Sequence, residues 1–219
     1  MRRSSRLLTP VLAIGVLVAV ALWVPSAATY RLPGDHEGYS PVQPIAYSHK
    51  VHAGDLQIAC SYCHWAADRS RHAGIPAASV CMNCHRAVTA SVRDVEAETE
   101  RATREKRQPQ PVVSPEIRKI YDHLGLGDDR EREPGRTTSP IAWSRIYSLP
   151  EFVYFDHRAH VGAGVRCQHC HGPVETMDRV KQVGSLSMGW CVDCHRRATE
   201  HGIDGRAVHA SIDCSTCHR

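Results

Sequence analysis

Phenylalanine occurs twice in these 219 residues and aromatic residues make up 6% of them. Apart from residues 7–24 there is no long apolar run. Setting that run aside leaves about 190 residues, one ordinary domain's worth of chain, but it is rich in Gly, Pro, Arg and His and buries little side-chain core of its own. Cysteine outside a single pattern is missing as well. All ten cysteines fall into five pairs of one spacing, and each pair is followed at once by histidine.

The five copies are Cys60-Ser-Tyr-Cys63-His64, Cys81-Met-Asn-Cys84-His85, Cys167-Gln-His-Cys170-His171, Cys191-Val-Asp-Cys194-His195 and Cys214-Ser-Thr-Cys217-His218. Two thiols three positions apart reach the two vinyl groups of one haem as thioethers, and the next imidazole drops onto the iron as proximal ligand. Zinc sites of the four-cysteine kind pair their half-sites, and five half-sites leave one over. A disulfide scaffold has no use for a histidine after every second cysteine. The pattern therefore predicts five covalently bound haem c groups, held by Cys60, Cys63, Cys81, Cys84, Cys167, Cys170, Cys191, Cys194, Cys214 and Cys217, with His64, His85, His171, His195 and His218 on the irons. Five porphyrins would supply the apolar mass that the side chains lack, and folding would depend on them.

The formal charge of +4 and pI near 8.6 are not a nucleic-acid signal. Two propionates per haem add about ten negative charges, only partly offset by ferric iron.

Arg2, Arg3 and Arg6 precede the apolar run from Leu7 to Val24, which only Thr9, Pro10 and Gly15 interrupt. Positive charge before an apolar stretch is an export signal with its N-terminus in the cytoplasm. About 18 residues exceeds the usual 7–15 of a cleaved signal core, which favours an uncleaved N-terminal transmembrane helix. Ser26-Ala27-Ala28 is the alternative, a cleavage site. Either way the rest lies on the extracytoplasmic, periplasmic side of the cytoplasmic membrane.

An internal repeat organises the extracytoplasmic chain. Tyr47-Ser-His49-Lys-Val-His52-Ala-Gly opens a stretch with two motifs, and Phe155-Asp-His157-Arg-Ala-His160-Val-Gly opens a stretch with three. The expected divisions are 1–29 anchor or signal, 30–46 extended tether, 47–88 two-haem module, 89–156 charged helical insert with an apolar linker, and 157–219 three-haem module. Within the insert, Val88 to Arg107 reads as a solvated helix with Glu100 and Arg104 four apart. Ser114 caps a second helix with Pro115 at its first position, ending near Gly125 or Gly127. Residues 141–155 are too apolar for free linker and should pack on a haem or a partner.

Five closed haems need five distal ligands. His49, His52, His157 and His160 are the first candidates because they recur in both copies of the repeat. Met188, Met177, His72 and His209 remain open for the last haem, and a methionine there would raise its potential. His169 reads as exposed. Closed, low-spin haems move single electrons and bind no substrate at iron.

The aromatic-x-His-x-x-His opening resembles small class III multihaem cytochromes, in which the first histidine serves the first haem of its module and the second serves the next. That resemblance implies His49 on the Cys60 haem, His52 on the Cys81 haem, His157 on the Cys167 haem and His160 on the Cys191 haem. The fold it implies is mainly α with much irregular structure, in two haem modules. Pro44-Ile-Ala-Tyr-Ser-His49-Lys-Val-His52-Ala-Gly, His72-Ala-Gly-Ile-Pro76 and Met188-Gly-Trp-Cys191-Val-Asp-Cys194-His195-Arg resemble the pentahaem subunit of alternative complex III, a bacterial quinol-oxidising membrane complex. The related subunit of a menaquinone reductase complex has six haems, and five motifs favour the former. The resemblance implies an iron–sulfur/molybdopterin-like subunit, integral quinol-binding subunits and a monohaem cytochrome c as partners. Quinol would be oxidised elsewhere and electrons passed through these haems to a cytochrome c or oxidase. The competing reading is a free-standing, membrane-anchored multihaem quinol dehydrogenase that feeds a periplasmic reductase. A catalytic reductase would need an open iron, often marked by lysine in place of the motif histidine, and all five motifs end in histidine.

Overall fold

A computed structural model describes residues 12–21 and 36–218. Residues 12–21 are helical and exposed. The rest of the expected anchor lies outside the described residues, among which no helix is long and apolar enough to cross a membrane.

The structure is mainly helical with much irregular chain. The helices are α1 (Cys60–Cys63), α2 (Ala78–His85), α3 (Val92–Arg104), α4 (Pro115–Leu124), α5 (His157–Gly162), α6 (Gln168–His171), α7 (Met188–His201) and α8 (Cys214–Cys217). A π-helical turn at Lys50–Asp55 and a 3₁₀ turn at Val174–Thr176 complete the regular elements. Among the described residues β-pairing is confined to isolated bridges such as Val153 with His218. Every motif lies on or beside a helix, from the four-residue α1 to the 14-residue α7, because Cys-x-x-Cys-His puts its ligating atoms on one helical turn.

In the insert the first helix is shorter than the expected 88–107, running over Val92–Arg104, and the second starts at Pro115 as expected. Ser91 caps α3 by accepting from Asp94 N, and Arg104 pairs with Glu100 at 3.7 Å. Ser114 caps α4 by accepting from Ile117 N, Pro115 follows it, and Gly125 stops the helix at φ 67°. That left-handed conformation costs glycine little. Glu98, nearly buried, accepts from Arg107 Nη1 at 2.6 Å and Gln110 N at 2.9 Å. Those bonds, the Arg107 guanidinium first, hold its carboxyl down to about 2.

The main apolar cluster is small: Ile45, Met82, Ile120 and Tyr121, with Ile117, Leu124, Ile141 and Trp143 packed around it. It joins α4 to α2, and Tyr121, 1% exposed, sends its hydroxyl to His85 O at 2.8 Å. The insert thus grips the second motif directly. Residues 36–46 run without regular structure and are fastened at several points: Gly38 N and Gln182 N exchange bonds with Gln182 O and Tyr39 O, Gln43 spans both backbone groups of Ser144, and Ala46 N donates to Glu116 Oε2.

Candidate haem-binding site

The two copies of the repeat superpose in their ring geometry. Tyr47 lies 4.9 Å from His49 at 87° and 4.4 Å from His52 at 25°. Phe155 lies 4.9 Å from His157 at 87° and 4.4 Å from His160 at 30°. Each aromatic ring wedges between two histidines one turn apart and turns them in different directions. In both copies the second histidine is tied back by its Nδ1–H to the carbonyl four residues earlier, His52 to Ser48 and His160 to Asp156, both at 2.8 Å.

Those histidines stand opposite the motif histidines. His52 faces His85 with ring centres 6.1 Å apart, His157 faces His171 at 6.3 Å, and His160 faces His195 at 6.0 Å. With metal–nitrogen bonds of about 2 Å and about 1.1 Å from Nε2 to ring centre, two imidazoles across one ion stand roughly 6 Å apart. His49 has His64 beside it: burial first, then His64, hold His49 down to about 4. Burial first, then His157, does the same to His171, also at about 4. His160 is lowered too, chiefly by burial. Neutral imidazole is the form that binds metal.

The tautomer is set as well. Nδ1–H donates to a backbone carbonyl from His64 (Gly74, 2.7 Å), His85 (Val88, 2.8 Å), His157 (Arg71, 2.9 Å) and His195 (Ser211, 2.6 Å). Each bond leaves Nε2 as the free lone pair and stiffens the ring. The ten thiols form no disulfide with one another. The residues present therefore fit haem c.

The thiols also place the motifs in one file. Burial first, then a neighbouring thiol, raises Cys63 (beside Cys84), Cys81 (beside Cys63) and Cys191 (beside Cys217). Cys170, pushed up to about 11, has Cys194 as its leading neighbour after burial. Burial first, then Cys60, raises Cys167. The motif order along the molecule is second, first, third, fourth, fifth, and the modules meet at the first and third. Their junction is tight: a Cβ on Gly54 would run into the Glu175 carbonyl, Lys50 N donates to Met177 O at 3.0 Å, and Ser48 Oγ donates to Asp178 at 2.7 Å.

The fifth motif differs. Among the described residues the ring against His218 is Phe152, at 5.8 Å, and no second imidazole pairs with it. Met188 opens α7 and is 65% exposed, one turn before Cys191. Met177 is buried at the module junction, while His72, His209 and His169 are exposed. The apolar linker lays its aromatics on the ligand histidines: Tyr147 lies 4.4 Å from His171 and takes a bond from Val183 N at 3.0 Å. The sequence marks Tyr147 only as part of an apolar stretch, and it carries no signal for the carbonyls of Gly74, Val88, Arg71 and Ser211.

Paired imidazoles, carbonyl-fixed tautomers and Cys-x-x-Cys-His turns are what covalent haem attachment requires, and residues 153–219 match the family model of cytochrome c7 and related cytochrome c. The chain is also similar to the protein named menaquinone reductase, multihaem cytochrome c subunit, of Nitratidesulfovibrio vulgaris, with 24% identity over 197 residues covering 81% of this chain and 77% of that one.

Proposed function

We propose that this chain holds five haem c groups in single file and is the periplasmic-side electron-transfer subunit of a membrane quinol:acceptor oxidoreductase of the alternative complex III kind. The observation that carries the reading is the pairing of three motif histidines with a second imidazole about 6 Å away, His85 with His52, His171 with His157 and His195 with His160. Each haem supplies reversible one-electron chemistry, and the protein sets its potential through ligand type, Nδ1 bonding and burial. Similarity to a menaquinone reductase subunit supports a quinone-linked complex. Five motifs, the apolar N-terminal run and the charged insert support the quinol-oxidising kind, with the electrons arriving from an iron–sulfur subunit.

His49, His52, His157 and His160 are assigned as distal ligands of the Cys60, Cys81, Cys167 and Cys191 haems. Met188 is assigned to the fifth, since it shares a helix face with Cys191, whose thiol adjoins Cys217. A thioether ligand makes that haem the high-potential end of the file. Met188→His should lower one midpoint potential and leave four in place; five unchanged potentials in a spectroelectrochemical titration would refute the assignment.

The function itself is tested by gentle solubilisation of native membranes, a haem-stained blue-native gel and identification of the co-migrating proteins. Co-migration with an iron–sulfur/molybdopterin-like subunit and large multi-helix subunits is expected. Migration alone, or with a soluble reductase, would replace this reading with the free-standing quinol dehydrogenase.

A further inference from the structure

Resting on the haem reading, the geometry points to the loop 65–74 as one positioning element shared by the two central haem sites, with Arg71 as its lock. The loop starts at a proximal histidine and returns to it, since His64 Nδ1 donates to Gly74 O at 2.7 Å. Three residues before Gly74, the Arg71 carbonyl takes both the backbone N–H of His157 (3.1 Å) and its Nδ1–H (2.9 Å). The adjacent Ser70 carbonyl takes Arg158 N at 3.2 Å. One short loop therefore orients a ligand of the first-motif haem and a ligand of the third-motif haem, from residues 86 apart in sequence.

The loop is stiff enough to act as a unit. Ala67 N and Arg69 N close turns on His64 O and Ala66 O, Ser70 N also bonds Ala66 O, Ala66 is 8% exposed, and Gly74 sits at φ 79°. The Arg71 side chain adds to the backbone bonds that attach the loop to residues 155–158. Nε donates to Phe155 O at 3.2 Å, and the guanidinium lies 4.5 Å over the Tyr154 ring. Phe155 is itself the wedge between His157 and His160. The arrangement is particular to one copy of the repeat: His49, the counterpart of His157, buries its Nδ1 with no hydrogen-bond partner.

An Nδ1–H bond to a carbonyl makes imidazole a more basic ligand and favours ferric over ferrous iron. Loosening the loop lengthens two such bonds at once, so both central haems should become easier to reduce. A tenfold loss of ferric preference, the low end of the 10–100-fold effect of outer-shell partners, reads as about 59 mV for a one-electron couple.

The test is an EPR-monitored redox titration of the full-length holoprotein in its membranes, as wild type, Arg71→Ala and Arg71→Lys. The wild type must first show five low-spin haems; if it does not, the haem reading fails before the loop is tested. Expected is an upward shift of the first- and third-motif haems by tenfold or more in both variants, with the other three unmoved. Lysine keeps the charge but loses the planar stacking and the Nε bond. Wild-type potentials in Arg71→Lys would mean that charge alone acts. A shift at one haem, at none or at all five would equally overturn the shared-loop assignment.

Discussion

Replacing His160 with alanine should leave one haem high-spin and four low-spin, with the spectral change confined to the Cys191 site. The His160 ring faces His195 at 6.0 Å, its Nδ1 is held by Asp156 O at 2.8 Å, and Phe155 packs on its face at 4.4 Å. Nothing else among the described residues presents a second imidazole ring to His195 within that range. A lost distal ligand moves the potential by a sizeable part of the roughly 0.8 V over which axial ligands tune haems. The fourth motif lies between the third and the fifth in the file, so electron passage to the fifth should slow sharply while haem content stays at the wild-type value. His52→Ala makes the parallel prediction at the Cys81 site, where His52 faces His85 at 6.1 Å. Magnetic circular dichroism of the ferric protein reads both. A fully low-spin His160→Ala spectrum would refute the ligand assignment, and loss of the whole protein would point to a packing role for the ring instead.

The local part of this design was legible in the sequence. Cys-x-x-Cys-His needs one turn of helix, Ser114-Pro115 starts α4 as capping rules require, and the Tyr47 and Phe155 openings place their rings alike to within 5° and 0.1 Å. The tie from His52 to Ser48 and from His160 to Asp156 spans four residues and could have been read from the helical period. What could not be read is set by tertiary contact. Arg71 reaches His157 across 86 positions and Tyr121 reaches His85 across 36. Both bonds end on backbone carbonyls, which every residue type carries, so composition and spacing hold no trace of them. The order of the motifs was hidden for the same reason. Chain order runs from the first motif to the second, but the modules join through the first and third, where Gly54 meets the Glu175 carbonyl. That junction uses a glycine for close approach, a signal seen only once its neighbour is known.

The chain made without thioether attachment should lose cooperative folding everywhere except around the insert. Among the described residues eight apolar side chains are buried, and Tyr121 is the one large side chain of these that is fully buried, beside the polar Gln182. Four of those eight form the cluster between α2 and α4. The second module has Met177 and Ala198 by the same measure, with histidine rings and thiols where an ordinary domain has leucine and phenylalanine. Against a backbone ordering cost of about 1–2 kcal/mol per residue, two buried apolar residues cannot hold residues 157–218 in place. Haem attachment must therefore supply most of the folding free energy there, as metal does in small metal domains. Hydrogen exchange on the haem-free chain should show protection confined to α3, α4 and the Glu98–Arg107 clasp, with residues 157–218 exchanging freely. Protected amides in α5 and α7 would show that the polypeptide packs on its own; their absence would make each Cys-x-x-Cys-His turn a folding nucleus as well as a redox site.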